Sequence, residues 1–229
     1  MGNLSIPLGA LCLTLILAIP THAKSRWNDD LVDRAKWKSF GVEDWASHDP
    51  MERARAGRTP VNTERWALPK GGDVAQLKTL IAFAEAGKKG YDAVHVSAAR
   101  KTPMRPTQMT IAQIQRWIKR TPGQPHAIGR YQIIPSTLRM LVARGGFKGS
   151  QKFDAKTQDK MADILLADAG LAQFQAGRIS KRKFMDNLAL VWAGLPKANG
   201  KSAYHGYAGN RATITRGFYQ EQMDAIFGS

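Results

Sequence analysis

The sequence predicts a mainly helical domain that carries one irregular, β-like insert. From Gly72 onward, apolar residues recur at helical spacing in one segment after another. Capping or breaking residues bound each of these segments, and only residues 91–96 alternate in the manner of a strand. With 229 residues, the chain is long enough for one domain with a sizeable core.

The first predicted helix begins at Asp73, a plausible N-cap, and ends before Gly87. Its apolar stripe is Leu77, Leu80, Ile81 and Ala84, which follow i, i+3, i+4, i+7 spacing. Directly after it, Tyr91–Val96 alternates and is rich in β-branched residues. This stretch predicts either a small β-hairpin or an extended loop.

Five further helices are predicted by the same combination of spacing and end signals. They run from the cap Thr110 to Pro122, from Pro135 to Gly145, over roughly 155–168, from the cap Ser180 to Gly194, and over about 211–227. Trp192 lies on an apolar helix face, which favours a place in the core.

Residues 1–23 are typical of a secretory signal peptide. An apolar run of about fifteen residues, 6–20, is followed by the small residues Thr21 and Ala23, which suit cleavage after Ala23. The run is shorter than the roughly 20 residues that a spanning helix needs, although an uncleaved anchor and a buried core helix are the alternatives. The only cysteine, Cys12, lies in this run, so the mature chain would need no disulfide. We therefore expect a bacterial envelope protein that meets the membrane only transiently.

Residues 24–71 are predicted to form a loosely ordered arm before the helical domain, 72–229. Widely spaced tryptophans mix with charges and prolines, and other large apolar residues are too sparse for a separate core. The tryptophans are Trp27, Trp37, Trp45 and Trp66. The arm is interpreted either as a linker whose tryptophans dock on the domain or as a partner-binding segment.

The positive charge belongs to the helical domain. Residues 24–69 carry nine Lys/Arg against eight Asp/Glu, whereas residues 70–229 carry twenty-five against ten. Such a field attracts nucleic acid, anionic membranes or a cell wall that bears peptide carboxylates. Export argues against nucleic acid as the usual partner, and charge alone does not choose between the other two.

Glu85 is the candidate catalytic residue. It stands at the border of the first apolar stripe, in the last turn before Gly87. Desolvation against the core and the negative end of the helix dipole both favour a protonated carboxyl, which is the form that donates a proton to a leaving oxygen. Lys88 and Lys89 oppose this effect only if their side chains turn inward. On spacing alone, a solvated surface glutamate is the more common reading.

Four ordered blocks of sequence resemble the lambda-phage-type endolysins. They are Leu80–Tyr91, which contains Glu85; Ala127–Thr137, which contains a GRYQ motif at Gly129–Gln132; Phe153–Asp159; and Val191–Pro196. The resemblance covers roughly residues 75–226. It implies an α+β lysozyme-like fold and a lytic transglycosylase that cleaves the β-1,4 bond between N-acetylmuramic acid and N-acetylglucosamine in peptidoglycan.

The resemblance also implies roles for individual residues. Glu85 would be the general acid and then the base that activates the C6 hydroxyl of the muramic acid, so that a 1,6-anhydro sugar forms. Tyr91, Tyr131 and Gln132 are candidate sugar contacts, although Tyr131 and Gln132 would serve equally as a buried polar pair. Arg130 would bind a substrate carboxylate or brace its loop. Tyr204, His205 and Tyr207 would line the glycan groove or pack in the core. No cofactor and no metal site are expected.

A hydrolytic muramidase is the alternative on the same substrate, and it usually needs a second carboxylate. The main candidates are Asp92, Asp154, Asp159, Asp163, Asp168 and Asp186. Asp92 is the only one close to Glu85 in sequence. Acidic residues are scarce in this domain, and their scarcity favours the transglycosylase, which needs no second carboxylate. A non-catalytic wall-binding or scaffold protein is the other alternative. The basic, Pro-containing stretch 98–126 suggests, by analogy, wall opening for a secretion, conjugation or flagellar assembly.

Overall fold

The computed structural model describes Thr63, residues 66–206 and residues 210–228. This part of the chain is mainly helical, and its strand-like pairing consists of isolated β-bridges. The predicted signal peptide, most of the predicted arm and Tyr207 lie outside the described residues. The prediction of a mainly helical domain is confirmed, whereas lysozyme-like features stay a prediction.

Seven α-helices follow one another along the described residues. They are α1 Asp73–Glu85, α2 Ile111–Arg120, α3 Pro135–Arg144, α4 Ala155–Asp168, α5 Leu171–Gln175, α6 Lys181–Val191 and α7 Arg216–Phe227. Short 3₁₀ helices cover Gly87–Asp92 and Pro106–Gln108. α1 packs against α7 and against the first 3₁₀ helix, while α5 packs between α4 and α6.

Side-chain caps explain where most of these helices begin. Thr110 and Gln113 form a reciprocal capping box at the start of α2. Asp154, Ser180 and Thr215 cap α4, α6 and α7 by accepting a backbone N–H in the first turn. The predicted caps Thr110 and Ser180 are therefore confirmed.

Two boundary predictions are wrong, and one short helix is missing from the sequence prediction. Gly72 occupies the N-cap of α1 without a side-chain bond, and Asp73 is the first helical residue. α7 starts at Arg216 and not near residue 211, because the Thr213 N–H donates to the carbonyl oxygen of Gly194 and Thr215 caps the helix. α5 was not predicted, since it is a five-residue helix without a side-chain cap.

The insert after α1 does not fold back on itself as a hairpin. Gly90, at a φ of 51°, kinks the 3₁₀ helix, and the chain then runs extended alongside the GRYQ segment. Val94 bridges to Ile128, and Ile128 bridges in turn to Ile133. Of the predicted stretch 91–96, only residues 93–95 run extended, paired with a segment distant in sequence. Residues 91–92 belong to the 3₁₀ helix and residues 96–97 form a turn.

One hydrophobic core joins all the long helices. It includes Leu77, Leu80 and Ile81 of α1, Ile114 of α2, Leu138 of α3, Met161 of α4, Leu188 of α6 and Met223 of α7. Trp192 is buried in it, as predicted.

Trp66, from the end of the predicted arm, docks on this domain. Its ring packs 4.7 Å from that of Phe83 and 6.1 Å from that of Phe218, measured between centroids. Its Nε1 donates a hydrogen bond of 2.6 Å to Gln222 Oε1. The docking interpretation therefore holds for this tryptophan; the other three lie outside the described residues.

Across the described ranges, none of the helices is both long and apolar enough to cross a bilayer.

Candidate active site

Glu85 is the last residue of α1, and its side chain is partly buried. Its Oε1 accepts a 2.7 Å hydrogen bond from the backbone N–H of Gly194, which lies 109 residues further along the chain. A carboxylate bonded to a backbone amide is held in one orientation, since the donor itself is fixed by the chain. Glu85 is thus a positioned acid and not a free surface glutamate.

Thr213 completes a three-way junction around this carboxyl. Its hydroxyl donates to the carbonyl oxygen of Ala84 at 2.7 Å, and its backbone N–H donates to the carbonyl oxygen of Gly194 at 2.9 Å. The end of α1, the Gly194 turn and the segment before α7 are therefore tied together beside Glu85.

Position 194 has room only for glycine. A Cβ there would lie 2.7 Å from the carbonyl oxygen of Ala84 and 3.0 Å from both Glu85 Oε1 and Thr213 Oγ1. The close approach lets the Gly194 amide reach the carboxyl. The requirement for glycine is therefore steric, because the backbone at 194 is not left-handed.

The amide of Gly194 engages one of the two carboxyl oxygens of Glu85, Oε1. Oε1 acts as an acceptor in either protonation state, since the amide can only donate to it. This arrangement suits a group that first donates a proton and then takes one back.

Three of the predicted substrate contacts belong to one polar network beneath the GRYQ segment. The hydroxyls of Tyr131 and Tyr91 both donate to Asp159, at 2.5 and 3.0 Å. The guanidinium of Arg130 lies 4.8 Å from the centroid of the Tyr91 ring, and it donates to Thr79 Oγ1 at 2.8 Å. Arg130 thereby braces its loop against α1, one of the two roles considered for it.

Burial separates the two tyrosines of this network. Tyr131 is 2% exposed, and desolvation, reinforced by Asp159, raises its pKa far above the ordinary value of 10.0. Tyr91 is more exposed, and burial followed by Asp159 raises its pKa against the opposing charge of Arg130. Both phenols stay protonated donors at neutral pH. Because Tyr131 is buried with its hydroxyl engaged, its placement favours a structural role over a sugar contact.

Gln132 differs from these residues in its backbone. Among the non-glycine residues that the structure describes, it alone has a positive φ, at 45°. Its Nε2 donates to the carbonyl oxygen of Gly129 at 3.0 Å, which closes the turn. The side chain is partly exposed, so Gln132 stays a candidate for contact with substrate.

The Tyr204 region is only partly described. Tyr204 is partly buried, and its hydroxyl donates to the carbonyl oxygen of Leu190. His205 is exposed. Tyr207 lies among residues 207–209, outside the described ranges, so its predicted role is untouched.

Each of the six aspartates considered as a second carboxylate has a structural partner. Asp92 accepts from the backbone N–H and the hydroxyl of Thr107, Asp154 caps α4, and Asp159 accepts from the two tyrosines. Asp163, Asp168 and Asp186 pair with Lys78, Arg144 and Arg216. The structure thus gives these side chains stabilising roles.

The sequence does not predict that Gly194 and Thr213 lie beside Glu85. Val191–Pro196 is one of the four blocks of resemblance, but nothing in its residues indicates contact with Glu85. Thr213 had no local signal, because its partners Ala84 and Gly194 are distant in sequence.

Neither comparison with known proteins nor the arrangement of metal-binding side chains assigns a further role to this site. No family model, no curated protein and no solved structure matches the chain. Within the described part, no three His, Cys, Asp or Glu side chains are grouped so that they could hold a metal ion.

Proposed function

We propose that this protein is an exported peptidoglycan lytic transglycosylase in which Glu85 is the catalytic acid and base. The observation that supports this most directly is the amide-held carboxyl of Glu85 at the end of α1. General acid catalysis requires a donor that is fixed relative to the substrate. The resemblance of the four sequence blocks to the lambda-phage-type endolysins supplies the substrate class.

The proposed reaction has two proton transfers at Glu85. The protonated carboxyl of Glu85 protonates the glycosidic oxygen as the bond to C1 of the muramic acid breaks. The resulting carboxylate then removes the proton of the C6 hydroxyl, which closes on C1 to give the 1,6-anhydro sugar. The proton returns to Glu85, and no water enters the product.

The engagement of the aspartates supports this reaction over hydrolysis. A retaining or inverting hydrolase canonically places a second carboxylate across the scissile bond. Asp92, the nearest candidate in sequence, accepts bonds of 2.9 and 2.7 Å from Thr107 through the same oxygen. An internal nucleophile, the C6 hydroxyl, needs only one acid–base group.

We infer a peptidoglycan strand as the substrate, with its peptide carboxylates attracted by the basic domain. Gln132, Tyr91, Tyr204 and Tyr207 remain proposed sugar contacts. The proposed location is the bacterial periplasm or cell wall, with an envelope-spanning secretion, conjugation or flagellar apparatus as the proposed setting.

Product analysis of purified protein on isolated wall material tests this proposal. Wild type should release glycan fragments with 1,6-anhydro ends, detected by mass spectrometry. Glu85→Gln should lower the rate by at least about 100-fold, the lower end of what a general acid contributes. Glu221→Gln, at an exposed position on α7, is the matched control and should keep full activity.

The alternatives give different products. Reducing ends instead of anhydro ends would identify a hydrolytic muramidase. Wall binding without cleavage, equal in wild type and Glu85→Gln, would identify a scaffold protein and refute the enzymatic proposal.

A further inference from the structure

We propose that Thr213 is a positioning residue that holds the Glu85 carboxyl and the Gly194 amide in register for proton transfer. This inference rests on the proposed function for its catalytic consequence. Its geometric part can be tested without any enzyme assay.

The hydroxyl of Thr213 serves a group that the helix leaves unpaired. The last carbonyls of an α-helix have no partner within it, and Ala84 lies one residue before the end of α1. Thr213 Oγ1 donates to that carbonyl at 2.7 Å and lies 3.2 Å from the carbonyl oxygen of Gly194. One buried hydroxyl therefore contacts two carbonyl groups, that of Ala84 next to Glu85 and that of Gly194, whose amide bonds the Glu85 carboxyl.

The backbone of Thr213 adds a second tie. Its N–H donates to the carbonyl oxygen of Gly194 at 2.9 Å, while the N–H of Gly194 donates to Glu85 Oε1 at 2.7 Å. Both polar groups of Gly194 are therefore committed, one to Thr213 and one to Glu85. Any movement of the Thr213 segment shifts the amide that orients the acid.

The choice of threonine fits this role. Thr213 is 5% exposed, so an unpaired carbonyl at this place would not be solvated. A β-branched side chain has few χ1 rotamers, which keeps the hydroxyl aimed at Ala84. Valine has the same shape without the donor, and serine has the donor without the methyl group. These two variants separate hydrogen bonding from packing.

The experiment compares Thr213→Val, Thr213→Ser and the control Thr215→Val. Thr215 is two residues away and caps α7, so its loss destabilises the fold without touching the junction. For cleavage of isolated glycan, Thr213→Val should lower kcat about 10- to 100-fold, as expected for a misplaced catalytic group, with KM changed less than about twofold. Thr213→Ser should recover most of kcat, and Thr215→Val should leave it near wild type.

A second readout is independent of activity. In wild type, the Gly194 amide should be protected from hydrogen exchange, and its NMR chemical shift should change in Glu85→Gln and in Thr213→Val but not in Thr215→Val. An unprotected wild-type amide, or one that Thr213→Val leaves unmoved, overturns the inference. So does an equal loss of kcat in Thr213→Val and Thr215→Val.

The two proposals fail separately. If wild type cleaves no glycan, the proposed function fails, and the Gly194 amide still decides whether Thr213 positions Glu85. If Thr213→Val does not fold, hydrogen exchange in the wild type decides, since an unprotected Gly194 amide overturns the inference.

Discussion

Replacing Gly194 by alanine should weaken both the fold and the proposed catalytic site. Ordinary van der Waals contact begins at 3.4 Å, and the new Cβ would lie 2.7 Å from the carbonyl oxygen of Ala84, about 0.7 Å too close. It would lie about 0.4 Å too close to Glu85 Oε1 and Thr213 Oγ1, both at 3.0 Å. The nearest obstacle is helix backbone, which cannot turn away as a flexible side chain can.

The expected cost follows from these overlaps. Overpacking costs roughly 1–3 kcal/mol, and loss of the amide bond to the carboxyl adds about 1.5–3 kcal/mol if that bond breaks. The reduced freedom of the unfolded chain returns about 0.4–1 kcal/mol. We therefore expect a net destabilisation of about 0–2.6 kcal/mol if the amide bond survives and about 1.5–5.6 kcal/mol if it breaks. A drop in glycan cleavage of at least about tenfold should accompany it.

Urea denaturation and product release from isolated wall material measure the two effects. Gly217→Ala is the matched control, because Gly217 lies in the first turn of α7 with nothing within 4 Å of its Cβ position. This control should be neutral or slightly stabilising. If Gly194→Ala were as stable and as active as Gly217→Ala, the close-packed junction around Glu85 would be refuted.

Three further predictions concern the scaffold of the site. Trp66→Ala should lower the free energy of unfolding by about 3 kcal/mol, since the ring packs on two phenylalanines. Trp66→Phe should lower it less. If both variants melt at the wild-type temperature, the docking of Trp66 on the domain is contradicted. Asp159→Ala should cost about 2–4 kcal/mol by removing the acceptor of two tyrosine hydroxyls. The control Asp163→Ala, at a side chain that is 54% exposed, should cost under about 1 kcal/mol in the same urea titration. Burial, assisted by Arg100 and opposed by a Thr121 hydrogen bond, lowers the pKa of His126 below 6.5. As the pH falls, the unfolded chain therefore binds the proton before the folded chain does. The contribution of His126 to the free energy of unfolding is complete above pH 6.5 and is lost as pH falls from 6.5 through the folded pKa. His126→Gln should flatten this part of the curve of unfolding free energy against pH, and an unchanged curve would exclude His126 as its source.

The sequence by itself determined most of the helices. Apolar spacing predicted α2, α3, α4 and α6 closely, because helix periodicity and capping act over a few residues and are written locally. The same local pattern placed Glu85 at the end of a short amphipathic helix, but the resemblance of four sequence blocks is what made it the candidate acid. The resemblance of four blocks, and not the pattern itself, supplied the expected substrate.

Only the tertiary structure decided which residues surround Glu85. The Gly194 amide is 109 residues away from it in sequence, and Thr213 meets Ala84 across 129 residues. Such contacts depend on how helices pack, which periodicity does not encode. The same packing bonds Tyr131 to Asp159 and Arg130 to Thr79. It therefore favours the structural alternative for each of these two residues, which the sequence had left open beside substrate contact.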